Sequence, residues 1–261
     1  MPKFAANLSM LFTELAFLDR FTAAAQAGFK GVEFLFPYEH DKAVLADCLG
    51  ANGLVQVLHN LPAGDWAAGE RGIACHPDRI DEFRRGVDQA ITYATALRCK
   101  QLNCLAGILP PGVVPGLGRE VLVENLRFAA TELASAGVRL LIEPVNSLDI
   151  PGFFVDHSRQ ALEIIAEVGS DNLQLQYDVY HMQVMEGDLA RTITENLSRI
   201  GHVQIADNPG RHEPGTGEIN YPFLFEVLDR EGYRGWIGCE YKPLSSTNAG
   251  LGWAAGYIGR N

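Results

Sequence analysis

Eight short apolar runs in this chain each end on a residue that can ionise, ligate or hydrogen-bond: Asn7, Glu33, His59, Asn103, Glu143, Asp178, Gln204 and Glu240. The strings LLIE, LQLQYD, HVQ and WIGCE show the pattern. A carboxylate that closes a buried run is costly unless it is paired, hydrogen-bonded or bound to a cation. If the last four ends meet, Glu143, Asp178 and Glu240 crowd like charges together beside the Gln204 amide. Like charges that close raise one another's pKa or recruit a metal. An oxygen-rich donor set selects a hard cation, Mg²⁺ or Mn²⁺, over zinc. The sequence therefore predicts a divalent-cation site at Glu143, Asp178, Gln204 and Glu240. A hydrogen-bonded carboxylate cluster without metal is the alternative.

Histidines and cations near these ends supply the other half of a site. His181 follows Asp178 by three residues, at the entrance to a helix, where it can polarise a carbonyl or donate to an oxyanion. His59 ends the third run. His202 alternates with Gln204 and so shares its face. Positive charge is scarce: Arg71 in GDWAAGERGIAC, Arg211, and Lys242 two residues past Glu240. Each can hold a carboxylate, the arginines in bidentate fashion. Glu70 stands beside Arg71 as a further candidate on the same loop.

The elements that must position these residues alternate. Strands are predicted over 4–7, 31–34, 54–59, 101–104, 139–143, 173–178, 202–204 and 236–240. Helices are predicted over 17–27, 42–52, 77–95, 120–136, 158–168, 188–198 and 221–231, with apolar residues recurring every three and four positions. Ser158 is the expected N-cap of its helix. Strict alternation of strand and helix implies a parallel sheet, and eight such steps fit a closed (β/α)8 TIM barrel in one domain. The longest loops, 60–76, 106–119, 144–157 and 205–220, all follow strands. In a barrel they lie on the C-terminal face, where such folds hold their sites. Residues 243–261 read as a tail wrapping the barrel.

Composition sets the bounds. The chain has 261 residues and a formal net charge of −11. That acidity opposes a nucleic-acid partner. Neither GxGxxG after the first strand nor GxxxxGK[ST] occurs, so no nucleotide or redox cofactor is expected. Five cysteines without a CxxC pair argue for free thiols in a reducing compartment. No apolar run is long enough to span a membrane. The expectation is a cytoplasmic enzyme without a membrane partner. A homo-oligomer is compatible with the fold class, with no interface named by the sequence.

The motifs FAANLSMLF, GVEFLFPY, LHNLPAGDWAAGERGIAC, IEPVNSLDIPGF, QYDVYHMQVMEGDL, GHVQIADNP, EPGTGEINYPFLF and GWIGCEYKP run from the first strand to the last. In them the sequence resembles the hydroxypyruvate isomerase family of the xylose isomerase-like barrels. The resemblance implies isomerisation of hydroxypyruvate, a small anionic hydroxy-oxo acid, to tartronate semialdehyde. It places the proton-transfer pair at Glu143 and Glu240. It maps the metal ligands of related isomerases and epimerases onto Glu143, Asp178, Gln204 and Glu240, with Gln204 standing where those relatives often carry His. A sister group with nearly the same motifs acts on 2-oxo-tetronates, one carbon longer. That activity, a keto-sugar epimerase, a metal-dependent endonuclease and a non-catalytic sugar-acid binder are the alternatives.

Overall fold

The computed structural model describes residues 2–258. Eight parallel strands close into a barrel in chain order: β1 (Lys3–Asn7), β2 (Gly31–Glu33), β3 (Val55–Asn60), β4 (Gln101–Cys104), β5 (Arg139–Ile142), β6 (Leu173–Asp178), β7 (Ile200–Ile205) and β8 (Trp236–Cys239), with β8 paired back to β1. Helices α1 (Asp19–Gln26), α2 (Lys42–Asn52), α3 (Ile80–Leu97), α4 (Pro115–Ser135), α5 (Ser158–Val168), α6 (Val179–Met185), α7 (Leu189–Asn196) and α8 (Tyr221–Arg230) form the outer layer. The predicted 42–52 and 158–168 helices are found with those bounds. Each ends at a glycine in the left-handed region, Gly53 (φ 60°) and Gly169 (φ 69°), where a Cβ would be strained.

Two local readings change. Ser158 is the first residue of α5 rather than its cap. Its backbone N–H and Oγ both donate to Glu186, at 2.6 and 2.8 Å, so a carboxylate from beyond α6 satisfies the helix N-terminus. The short helix α6 follows Asp178 directly, and Asp178 Oδ1 caps it by accepting the Tyr180 N–H at 2.8 Å.

The barrel interior is built in layers. Ala5, Val57 and Leu141 pack together against Trp236. Gly31 leaves room for the indole, since a Cβ there would meet Trp236 at 2.8 Å. One layer nearer the mouth, Gly238 faces Glu33, whose carboxylate would collide with an added Cβ. The tail is held on the outside: Thr247 Oγ1 accepts the Phe12 N–H at 2.6 Å, and Trp253 and Tyr257 stack edge-on against Phe4. Residues 259–261 of the predicted tail lie outside the described residues. Among the described residues no helix is long and apolar enough to cross a membrane.

Candidate active site

All eight polar strand-end residues are buried, and seven of them turn into the barrel. The exception is His59. The register steps from Val32↔Gln56 to Glu33↔Leu58, so Val57 is an extra residue in β3. A bulge of this kind shifts the in–out alternation by one. His59 then pairs with Leu102, which faces the helices, and Asn60 pairs with Asn103, which faces the interior. The His59 ring rests near Tyr38 (6.1 Å between centroids) and the Ala90 backbone of α3. Burial drives its pKa down to about 3. The expected substrate contact of His59 is therefore corrected: Asn60 takes the inward position.

The floor of the site is a network of amides and carboxylates. Glu33 Oε2 lies 2.7 Å from His202 Nε2, and Glu33 Oε1 accepts from Asn7 (3.0 Å) and from Gln204 Nε2 (2.8 Å). Gln204 Nε2 also donates to Glu240 Oε2, while Gln204 Oε1 accepts from Gln176 at 2.6 Å. Asn7 reaches Glu240 Oε2 at 3.2 Å, and Asn103 donates to Glu143 Oε2 at 2.8 Å.

Above this floor stand Glu143, Asp178, His181, Arg211 and Glu240. Arg211 Nη2 lies 2.8 Å from Glu240 Oε1 and 3.8 Å from Asp178 Oδ2, and its guanidinium also approaches Asp149 at 3.6 Å and sits over the Tyr180 ring at 5.2 Å. The loop after β7 aims it. Asp207 gathers that loop by accepting the N–H groups of Asn208, Gly215 and Ile219, and Arg211 itself takes the left-handed conformation at φ 57°. The backbone of Lys242 donates to Arg211 O at 2.7 Å. His181 Nε2 lies 3.6 Å from Asp178 Oδ2 and 3.9 Å from Glu143 Oε1.

Three candidates do not join this group. Lys242 acts through its backbone: its side chain is exposed and forms no ion pair with a site carboxylate among the described residues. Glu70 closes its own loop. It pairs with Arg79, accepts the Asp65 N–H and fills the space beside Gly64. It thus braces the loop instead of offering a carboxylate to substrate. Arg71 bonds the carbonyls of Trp66 and Glu70 and stacks over Trp66 at 4.3 Å, so the guanidinium is engaged by its own loop.

Burial dominates the electrostatics. It raises Glu143 well above the usual carboxylate range, with the neighbouring Glu240 and Asp178 charges adding to it. Burial takes Glu240 up to about 8 against the pull of Arg211, and Asp178 up to about 6. His181 is pushed well below its ordinary value by burial and by Arg211. A carboxyl whose folded pKa exceeds its unfolded value binds more protons when folded, so its stabilising contribution is present at low pH and lost as pH rises toward the folded value. We expect the melting temperature of chelator-treated protein to fall as pH rises from about 6.5 to 8, above the range in which the buried neutral His59 and His181 act in the opposite direction. Glu240→Gln should flatten that fall. A melting temperature that rises across this window would contradict the burial of these acids.

A hard cation fits part of this arrangement. Glu143, Asp178 and His181 each bring a ligand atom within 4.8 Å of the others, and Asp178 Oδ2 is buried without a hydrogen-bond partner among the described residues. Glu240 stands outside that trio and meets Asp178 through Arg211. Gln204 presents its NH₂ end to Glu240, so joining the donor set requires its amide to rotate, exchanging Oε1 for Nε2. Residues that the strand-end reading missed are Asn60, Asn146, Asp149, Gln176 and Tyr180. Of these, Asn146 and Asp149 lie on a loop whose fold no local pattern announces.

The profile of the family described as "Xylose isomerase-like TIM barrel" matches residues 21–257. The chain belongs to this family. It is 58% identical over 257 residues to a hydroxypyruvate isomerase of Escherichia coli K12, covering 98% of this chain and 100% of that one. It is 52% identical to a 2-oxo-tetronate isomerase of Cupriavidus necator over 260 residues, covering 100% of both. A crystal structure described as an AP endonuclease, family 2, from Brucella melitensis superposes with a TM-score of 0.97 at 50% identity, covering 99% of this chain and 100% of that one.

Proposed function

We propose that this member of the family is an isomerase that converts hydroxypyruvate to 2-hydroxy-3-oxopropanoate through an enediolate. The observation that carries this reading is the pair of buried acids, Glu143 and Glu240, at the ends of β5 and β8, with Arg211 and His181 between them. The identity to a named hydroxypyruvate isomerase supports it.

The chemistry needs a proton moved between adjacent carbons and a place for negative charge. One carboxylate removes a proton from C3 of hydroxypyruvate, and the electron pair forms the C2–C3 double bond as charge develops on O2. The other carboxyl delivers a proton to C2. The O3 hydroxyl proton passes to O2, leaving an aldehyde at C3, and no electron acceptor is consumed. Among the described residues Glu240 takes three side-chain donors, from Asn7, Gln204 and Arg211, whereas Glu143 takes one, from Asn103. More donors favour the ionised form. We assign Glu240 as the base at C3 and Glu143 as the acid at C2. Arg211 and His181 face the developing oxyanion, and Arg211 is the cation available to the substrate carboxylate.

A Mg²⁺ or Mn²⁺ ion held by Glu143, Asp178 and Glu240, with Gln204 turned to offer its carbonyl, would polarise the substrate oxygens. Calorimetry should show Mn²⁺ uptake that Asp178→Asn abolishes. No heat of binding in the native protein would remove the cation from this account.

The test of the substrate is turnover. Purified protein is offered hydroxypyruvate and 2-oxo-tetronates in parallel, with products followed by proton NMR. The highest kcat/KM should belong to hydroxypyruvate. A higher value for a 2-oxo-tetronate would move the chain to the activity named for its Cupriavidus relative. Absence of turnover on either would end the isomerase reading.

A further inference from the structure

Asn146 opens the loop after β5, three residues past Glu143, and is fully buried. Its side-chain oxygen accepts the backbone N–H of Leu148 at 3.1 Å and of Asp149 at 2.7 Å. Backbone N–H groups only donate, so the oxygen must face them and the NH₂ must face away. On that far side His181 Nδ1 lies 2.7 Å from Asn146 Nδ2. An amide NH₂ only donates, so Nδ1 is the acceptor. A neutral imidazole with a bare Nδ1 carries its proton on Nε2.

Nε2 is the nitrogen turned toward the site. Its distances to Asp178 Oδ2 (3.6 Å) and Glu143 Oε1 (3.9 Å) exceed hydrogen-bond range. Among the described residues no hydrogen bond is donated from it to protein. The ring therefore holds an N–H that points between two acids with no acceptor of its own.

We propose that Asn146 is a positioning residue that fixes His181 in the Nε2–H tautomer, so that the ring donates a hydrogen bond to the substrate oxygen bearing negative charge and stays out of any cation's ligand shell. A histidine that ligates a metal through Nε2 must leave that nitrogen bare, and it ordinarily donates its other N–H to a carboxylate or carbonyl. Asn146 offers a donor there, which is the opposite arrangement. Of the Glu143, Asp178 and His181 cluster, the two carboxylates are then the ligands and the imidazole is the electrophile. The kinetic consequence rests on the isomerase reading; the tautomer does not.

Asn146→Asp isolates the effect. It keeps the oxygen that accepts from Leu148 and Asp149 and replaces the NH₂ with a second acceptor, which draws the ring proton to Nδ1. Nitrogen NMR of the histidine rings reads the result without substrate, with His181 assigned by the signal lost in His181→Gln. In the native protein we expect a bare Nδ1 and a protonated Nε2. In Asn146→Asp we expect Nδ1 protonated, kcat lowered about 10²-fold, as for loss of one oxyanion donor, KM changed by much less, and a melting temperature close to native. A native His181 with its proton on Nδ1, or on both nitrogens, overturns the proposal. So does an Asn146→Asp variant that loses kcat with the ring pattern unchanged, because the loss would then be merely structural. The native ring pattern as expected in a protein that fails to isomerise hydroxypyruvate upholds the tautomer and overturns only the substrate reading.

Discussion

Glu240→Gln and Glu143→Gln are each expected to lower kcat for hydroxypyruvate by about 10²–10⁴-fold, the usual contribution of a general acid or base. The substitution keeps size and one oxygen while removing the capacity to take or give a proton. Both residues are buried, at 6% and 5% exposure, and both titrate above the ordinary carboxylate range because burial and like charge disfavour the ionised form. Removing one such acid relieves repulsion with Asp178 and with the other Glu, so folding should survive. The check is kcat alongside circular dichroism and the melting temperature. Turnover within a few-fold of native in either well-folded variant would contradict the assignment.

Arg211→Met should damage both activity and stability, which separates it from the acid variants. The Arg211 side chain is 14% exposed and lies within ion-pair distance of Glu240, Asp178 and Asp149. Removing one partner of a buried ion pair typically costs about 3–5 kcal/mol, because the charges left behind are uncompensated. The melting temperature should drop clearly, and kcat/KM should fall at least about 10²-fold once the carboxylate and oxyanion lose a charge-assisted donor. Arg211→Lys should rescue little, since an ammonium is a point charge that cannot fork between Glu240 and Asp149. Full activity in Arg211→Lys would show that charge alone suffices.

Much of this architecture was legible in the residues. The β6 strand ends at Asp178 as its alternation predicts, and Glu143 and Glu240 stand one residue past β5 and β8. The period of two sends side chains to the interior from each strand, and burial of the polar ends follows from closure. His59 failed because a bulge at Val57 changes the count by one, and no residue type marks that insertion. Glu70 and Arg71 failed for another reason. Both look free in sequence, yet Arg79, nine residues from Glu70, and Trp66 engage them only after the loop folds back. Asn146 and Asp149 were invisible because their roles come from contacts with α6 and with the loop after β7. Sequence separation hides those contacts completely.

Isomerisation in D₂O tests the central claim most directly. If Glu240 removes the C3 proton and a separate acid, Glu143, supplies the proton at C2, newly formed 2-hydroxy-3-oxopropanoate carries solvent deuterium at C2. Proton NMR at early times, against a control for spontaneous exchange of the product, reads the label. Transfer of the original C3 hydrogen to C2 without solvent label would mean either a hydride shift or one carboxyl carrying the same proton between the two carbons, and in both cases Glu240 and Glu143 would not act as a separate base and acid.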